Sequence, residues 1–380
     1  MKLAIFAEMI LQFDMKPSGF LSGGGEKWQI ELIKLLNKNG IKTEVYQYSD
    51  KEISINFNNI KINGLGCKYK EANKKFHNIT NRNDIDGYFY MTMNLNAFNY
   101  ANKDKPKIAV SHGIWWDTDI YYNNPVEWLD NYKKWVLNLD KIISVDSNTL
   151  HLAQVYIPKH QHKIEVVPNF VDIKLFKKNK IVTNNNFKVL CPRRIHILRG
   201  TEPFVLAANS LTEKYNDIEF TVCGRGFGND QLKYKKMVES NNRINFTDVN
   251  YYEMPKIYNS NHISVIPTIG AEGTSLSALE SLACEIPIVS TLVGGLSDIV
   301  HDGFNGKITT IKTIFNKTNR TLNYNVDDLI NKIEWFYLNQ DQIEIMGKNG
   351  RNLIECSFSK QIWDRKIIQM ITKIFEEKRL

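Results

Sequence analysis

Along this chain the spacing of apolar residues switches repeatedly between about two and about 3.6, the signature of strands alternating with helices. KLAIFA at the start reads as a strand. After an irregular segment, Trp28, Ile30, Leu32, Ile33, Leu35 and Leu36 recur at helical spacing up to a stop at Gly40, and KTEVYQY then reads as a second strand. GYFYMTM, KIAVSHG and KIISVDS predict further strands, with helical material between them that includes VEWLDNYKKWVLNLD. Such alternation implies a parallel, doubly wound α/β sheet, which binds ligands at the carboxyl ends of its strands.

The pattern breaks at KKNKIVTNNN, residues 177–186, which is polar and without period and predicts a linker. A second series follows: strand FKVLC, helix FVLAANSLTEKY, strand IEFTVCG, helix QLKYKKMVES, strand RINFTD and strand HISVIP. These set the expected domains at 1–176 and 187–356. The polar stretch from Thr309 to Asn325 reads as a surface insertion. The last segment, 357–380, predicts an amphipathic helix with Ile362, Ile367, Ile368, Ile371 and Ile374 on one stripe. Packing against the protein is its expected use, with a membrane-surface helix as the rival.

Composition narrows the function classes. With 380 residues and 43% hydrophobic content there is enough apolar surface for two cores. The net charge of +8 is spread along the chain without a basic block, which suits phosphorylated ligands or loose attraction to an anionic membrane and disfavours a nucleic-acid stripe. Five scattered cysteines, with no CxxC, read as reduced and mostly buried thiols. The N-terminal apolar run is broken by Glu8 and reads as a strand rather than a leader, and no uninterrupted run approaches a membrane span. A cytoplasmic protein, conceivably at the inner face of a membrane, is the expectation.

The densest chemistry lies in GAEGTSLSALESLACEIPIVSTLVGGLSD, from Gly270. Glu272 and Glu280 stand eight residues apart around a hydroxyl-rich turn. A helix beginning with Gly273, Thr274 and Ser275 would offer backbone N–H groups, two hydroxyls and a positive dipole end to a diphosphate. Glu280, two turns on, would reach a different polar group of an extended ligand. The plainer alternative is that Glu272 caps the helix and Glu280 is solvated.

This Glu-x7-Glu unit, followed by IPIVST, VGGLSDIV and DGFNG, resembles the donor-binding signature of GT-B fold glycosyltransferases, particularly the retaining GT4 family (glycosyl transferases group 1). The resemblance is strongest from about residue 164 to 308. It implies two Rossmann-like domains facing a cleft, the first binding the acceptor and the second a nucleotide-sugar donor, with the terminal helix crossing back to the first. It implies that Glu272 contacts the transferred sugar and Glu280 the ribose. PRRIHILRGTE resembles the family's diphosphate clamp, with Arg194 and Arg199 at the matching positions and Arg193 either a third contributor or a surface charge. Gly24 and Gly25 of the GGG before the first helix match a close-approach turn. His112 matches a His-Gly near the sugar, Gly226 of VCGRGFGN a turn near the nucleotide, and Val249 a residue whose backbone meets the base.

The resemblance further implies transfer of a hexosyl unit from a UDP- or GDP-sugar to a hydroxyl of a carbohydrate, lipid-linked or protein-linked acceptor, as in surface polysaccharide or glycoconjugate synthesis. No cofactor or metal is expected; the nucleotide sugar is the co-substrate. The Asp-x-Asp triplets DID (84–86) and DTD (117–119) could hold a divalent ion, but such triplets arise readily by chance. Gly224, Gly226 and Gly228 alternate without completing G-x-G-x-x-G, which argues against a nicotinamide cofactor. A nucleotide-sugar epimerase and a non-catalytic sugar-nucleotide-binding protein are the alternatives.

Overall fold

The computed structural model describes residues 1–16, 24–67, 71–95, 102–113, 125–179, 186–226, 229–315 and 320–377. The chain divides into two compact units. The first comprises residues 1–112, 124–168 and 363–380; the second comprises 113–123 and 169–362.

The first unit is built on an eight-stranded sheet: β1 (Lys2–Ala7), β2 (Lys42–Gln47), β3 (Ser49–Phe57), β4 (Ile60–Cys67), β5 (Gly87–Tyr90), β6 (Lys107–Ser111), β7 (Lys141–Ser144) and β8 (Ile164–Val166). Its order is β3-β4-β2-β1-β5-β6-β7-β8. All neighbours are parallel except β3, which pairs antiparallel with β4 at the edge. The β3–β4 hairpin is absent from the sequence reading. Asn58 and Asn59, both at positive φ (50° and 63°), turn it, which is the two-residue geometry that asparagine tolerates.

The central strands β1, β5, β6 and β7 are buried along most of their length, whereas the edge strand β3 is largely exposed, and Phe6 packs on Tyr46, Phe76 and Tyr90 in the core. The terminal helix Lys360–Glu377 gives this unit its residues from Trp363 onward, with Trp363, Ile367, Met370, Ile371, Ile374 and Phe375 buried. The buried stripe therefore includes Trp363, Met370 and Phe375, while Ile362 and Ile368 stay half-exposed.

The second unit has a six-stranded, all-parallel sheet: β9 (Phe187–Cys191), β10 (Ile218–Cys223), β11 (Ile244–Thr247), β12 (Ile263–Ile266), β13 (Ile288–Ser290) and β14 (Gly306–Ile308). The order β11-β10-β9-β12-β13-β14 makes the strand sequence reverse between β9 and β12, so the crevice beyond the carboxyl ends of those two strands is the topological switch point.

Residues 169–176 belong to this second unit, so the division falls before the polar 177–186 stretch. Val171 and Phe176 are buried in its core, and Arg351 donates to the carbonyls of Ile173 and Phe176. Apolar anchoring of those eight residues outweighs the composition change that follows them.

The polar 309–325 stretch is not featureless. It forms an antiparallel hairpin, β15 (Ile311–Phe315) and β16 (Arg320–Tyr324). At its base Asp328 Oδ2 accepts from Thr310 N (2.8 Å), Thr310 Oγ1 (3.0 Å) and Thr309 Oγ1 (3.3 Å), and Asn325 Nδ2 donates to Thr310 Oγ1 at 2.9 Å.

Candidate functional site

The switch point of the second unit gathers the charged residues. Past the end of β9 the chain runs Pro192, Arg193, Arg194; past the end of β12 it runs through Pro267 and Thr268 to Glu272. Arg193 is 8% exposed and spreads its guanidinium over three groups: Nη1 donates to Ser275 Oγ (3.1 Å), while Nη2 donates to Thr268 Oγ1 (3.1 Å) and to Glu272 Oε2. Arg199 Nη1 donates to the same Glu272 oxygen at 2.6 Å and to the Ala271 carbonyl at 2.9 Å. Glu272, 7% exposed, thus holds two arginines on one oxygen.

Burial opposes ionising Glu272, but Arg193 and Arg199 overcome it and hold the carboxyl below its ordinary range. Burial likewise lowers Arg199, with the carboxylate of Glu272 pulling the other way. Arg194 lies close enough to add its field to Arg199 and is itself exposed. Three guanidiniums against one carboxylate leave the crevice with net positive charge, which suits a diphosphate.

Glycines set this geometry at two positions. Gly200, φ +75°, follows Arg199, and a Cβ there would lie 1.9 Å from the Pro267 carbonyl oxygen. Gly294, φ +56°, rests on Glu272 itself: its Cβ would lie 1.7 Å from the Glu272 carbonyl oxygen, which also accepts from Gly295 N at 3.1 Å. The VGG turn therefore fixes the backbone that carries the acid.

The helix after the turn begins at Leu276, with Ser275 as its N-cap residue, so Gly273, Thr274 and Ser275 precede the helix rather than open it. Their hydroxyls are engaged by protein groups: Ser275 Oγ by Arg193, and Thr274 Oγ1 by the Asn169 backbone N–H (3.2 Å). Among the described residues, no backbone carbonyl takes the N–H of Gly273 or Ser275. What the turn can offer an anion is these amides. Glu280, in the helix's second turn, accepts from the buried Tyr258 hydroxyl at 2.9 Å. Burial, and then Glu280, push the Tyr258 hydroxyl well above its usual pKa, so it stays a proton donor.

The remaining predicted positions separate. Val249 is half-buried beside the second core and its backbone N–H bonds Cys223. Gly226 bridges to Ile195, and a Cβ there would meet Gln231 Cβ at 2.8 Å, so this glycine serves close packing. Gly24, Gly25 and His112 belong to the first unit. Gly24 and Gly25 are already helical, in Gly24–Lys38, and a Cβ on Gly25 would meet nothing within 4 Å; Gly23 lies outside the described residues. Asp84 of the DID triplet pairs with Lys2 and Arg82, and Asp86 accepts from Lys2 N, so this triplet braces the amino ends of β1 and β5. The DTD triplet lies outside the described residues. Among the described residues no group of three His, Cys, Asp or Glu side chains could hold a metal ion.

His112 follows β6, edge-on to Trp28 at 5.5 Å, and its Nε2 donates to the Met91 carbonyl at 2.9 Å. Burial lowers its pKa to about 4. The ring is thus neutral with Nδ1 free to accept. Since the unfolded imidazole takes a proton near pH 6.5, the folded form loses stability as pH falls from 6.5 towards 4. His112→Gln is expected to flatten that slope, removing on the order of 2 kcal/mol of pH dependence in denaturant titrations at pH 4.5 and 7.

Arg193, which from the sequence reads equally as a third contributor or a surface charge, is placed by the fold at the centre of the site. No spacing rule separates it from Arg194; the signal is tertiary, since Gly224 packs on its carbonyl and the Thr268 and Ser275 hydroxyls receive its head.

Residues 172–353 match the family described as glycosyl transferases group 1. Among curated proteins, a D-inositol 3-phosphate glycosyltransferase of Paenarthrobacter aurescens is 32% identical over 161 residues, 38% of each chain. A UDP-Gal:alpha-D-GlcNAc-diphosphoundecaprenol alpha-1,3-galactosyltransferase of Escherichia coli is 25% identical over 52% of this chain and 51% of its own. The chain spans less than half the length of the first of these relatives and about half of the second. Among solved structures, sucrose-phosphate synthase of Thermosynechococcus elongatus superposes with a TM-score of 0.78 at 16% identity, covering 99% of both chains. Anabaena HepE in complex with UDP gives 0.68 at 15% identity, covering 98% of this chain and 100% of its own. These likenesses establish the GT-B fold.

Proposed function

We propose that this chain, which has the GT-B fold and whose residues 172–353 match the glycosyl transferases group 1, transfers a hexosyl unit from a nucleotide diphosphate sugar to a hydroxyl acceptor with retention of configuration, as GT4 enzymes do. The observation that carries the reading is the cationic crevice at the β9/β12 switch point, where Arg193 and Arg199 converge on Glu272 and Glu280 stands in the second turn of the helix that follows.

In this reading Arg194, Arg199 and the amides of the Gly273–Ser275 turn neutralise the diphosphate as its bond to the anomeric carbon breaks. The acceptor oxygen forms the new bond to that carbon, and its proton passes to the departing phosphate oxygen. Glu272 orients the sugar and Glu280 the ribose, with Val249 and Gly226 contacting the base. The guanidinium charge lets the reaction run without a metal. The complexes of Anabaena HepE with UDP and the name of the Escherichia coli relative support a UDP-type donor. A glycan or lipid-linked acceptor is in keeping with the name of the same relative, and no helix among the described residues is long and apolar enough to cross a membrane.

A thermal-shift screen against UDP, GDP, ADP and their hexose conjugates tests this. At least one set is expected to raise the melting temperature, and Arg199→Ala to abolish the rise; no stabilisation by any nucleotide sinks the proposal. Glu280→Ala is expected to weaken nucleotide and nucleotide sugar alike by about tenfold, whereas Glu272→Ala spares the free nucleotide and lowers turnover at least a hundredfold. Equal binding losses in the two variants contradict the assignment. Isomerised donor without transfer would favour an epimerase, and intact binding without turnover a binding protein.

A further inference from the structure

The Glu272 turn is gripped from three sides, and one grip has no assigned part. Arg193 holds Ser275 and the Gly294–Gly295 turn holds the Glu272 carbonyl. The third is Asn169, the residue at which the chain enters the second unit. Its backbone N–H donates to Thr274 Oγ1 at 3.2 Å and its Nδ2 to the Thr274 carbonyl at 2.9 Å, two bonds onto the middle of the turn. The second bond fixes which way the amide faces. Its Oδ1 is buried with no hydrogen-bond partner. Within the second unit only one other buried side-chain atom among the described residues shares that condition, Arg193 Nε, on another residue that grips this turn.

An unpaired buried carbonyl is a net cost, so stability alone would favour an apolar side chain here. The next residues fasten Asn169 from behind: Val171 N donates to the Phe358 carbonyl at 3.0 Å, and Val171 forms a parallel bridge with Ser359. The turn is therefore referenced to a segment braced independently of the helix that follows it.

We propose that Asn169 is a positioning residue, holding the Gly273–Ser275 turn so that Glu272 and the turn's amides keep a ligand-ready arrangement; its effect on sugar binding rests on the function proposed above. Asn169 acts through Thr274 and touches no ligand itself. Removing its side chain leaves the backbone bond to Thr274 Oγ1 and releases the carbonyl.

The test uses the full chain with Asn169→Leu, and Asn169→Ala should the larger side chain fail to fold. Hydrogen exchange is expected to speed up at least tenfold at the amides of 272–276 while the strands β9 to β14 keep their protection and the melting temperature stays within about 2 °C. With the nucleotide sugar that stabilises the unaltered protein, the dissociation constant is expected to rise about tenfold, and for the matching nucleotide diphosphate less than twofold. Unchanged exchange in the turn, a uniform loss of protection through the unit, or equal weakening of both ligands overturns the proposal. If the unaltered protein binds no nucleotide sugar, the functional reading fails, and the exchange result still decides whether Asn169 positions the turn.

Discussion

Arg193→Met is expected to lower the stability of the second unit by about 3 kcal/mol and to reduce any transfer activity to background. Methionine fills much of the same volume, so the change isolates the loss of the guanidinium. What remains is a carboxylate, 7% exposed, with Arg199 as its one charged partner, and two inward-facing hydroxyls, Thr268 and Ser275, without the donor that joined them. Breaking a buried pair from one side is costly because the other charge stays behind. Two signatures separate this from general damage. Adding Glu272→Gln to Arg193→Met should recover part of the loss, since the stranded charge goes with it.

The second signature is in pH. In the unaltered protein the depressed Glu272 carboxyl contributes stability that is present above its ordinary pKa of 4.5 and fades as pH falls below it. Without Arg193 burial gains the upper hand and the folded pKa rises. The variant's deficit should therefore grow as pH rises from 4 to 7. Denaturant titrations across that range measure both effects, and a deficit independent of pH would show that Arg193 does not act through Glu272.

Gly294→Ala is expected to cost about 3 kcal/mol and to weaken nucleotide-sugar binding at least tenfold. Two terms contribute. Alanine at φ +56° is strained, by about 1–2 kcal/mol, and its Cβ would lie 1.7 Å from a backbone oxygen that cannot swing aside as a side chain could. Gly303 supplies the control. It too is left-handed, at φ +73°, but a Cβ there meets nothing within 4 Å, so Gly303→Ala should cost about 1–2 kcal/mol and leave binding unchanged. The difference between the two variants reads the close contact with Glu272. Equal costs, or a Gly294→Ala protein that binds donor normally, would mean the glycine turn does not set the acid's position.

Much of the second unit was legible because its strands are short apolar runs separated by clear helical stretches, and a parallel sheet buried on both faces writes itself that way. Glu272 and Glu280 stand out by their spacing around a hydroxyl-rich turn, and Arg199 by the resemblance of PRRIHILRGTE to a diphosphate clamp. The roles of Arg193, Asn169 and Tyr258 could not, since each acts on a residue at least 22 positions away through contacts that no local period encodes. The division after residue 168 was hidden for the opposite reason: the polar run at 177–186 is conspicuous, whereas the anchoring of Val171 and Phe176 is visible only once their core exists. The Asn58–Asn59 hairpin carries a readable signal, two turn-forming residues between alternating strands, although it lacks the Asn-Gly pair that marks such turns most clearly.

The hairpin β15–β16 leaves and rejoins the second unit at Thr310 and Asn325, which bond each other, while Asp328 ties down the residues just inside. A loop whose two feet are already joined transmits little of its own length to the sheet beneath, because lengthening a closed loop costs only a slowly growing entropy. Residues 311–324 can consequently drift, shorten or be exchanged during descent without disturbing the arginine and glutamate constellation. Variation among related chains should concentrate there, and a peptide tag or fluorophore-bearing segment spliced in place of the hairpin would leave the parent fold intact.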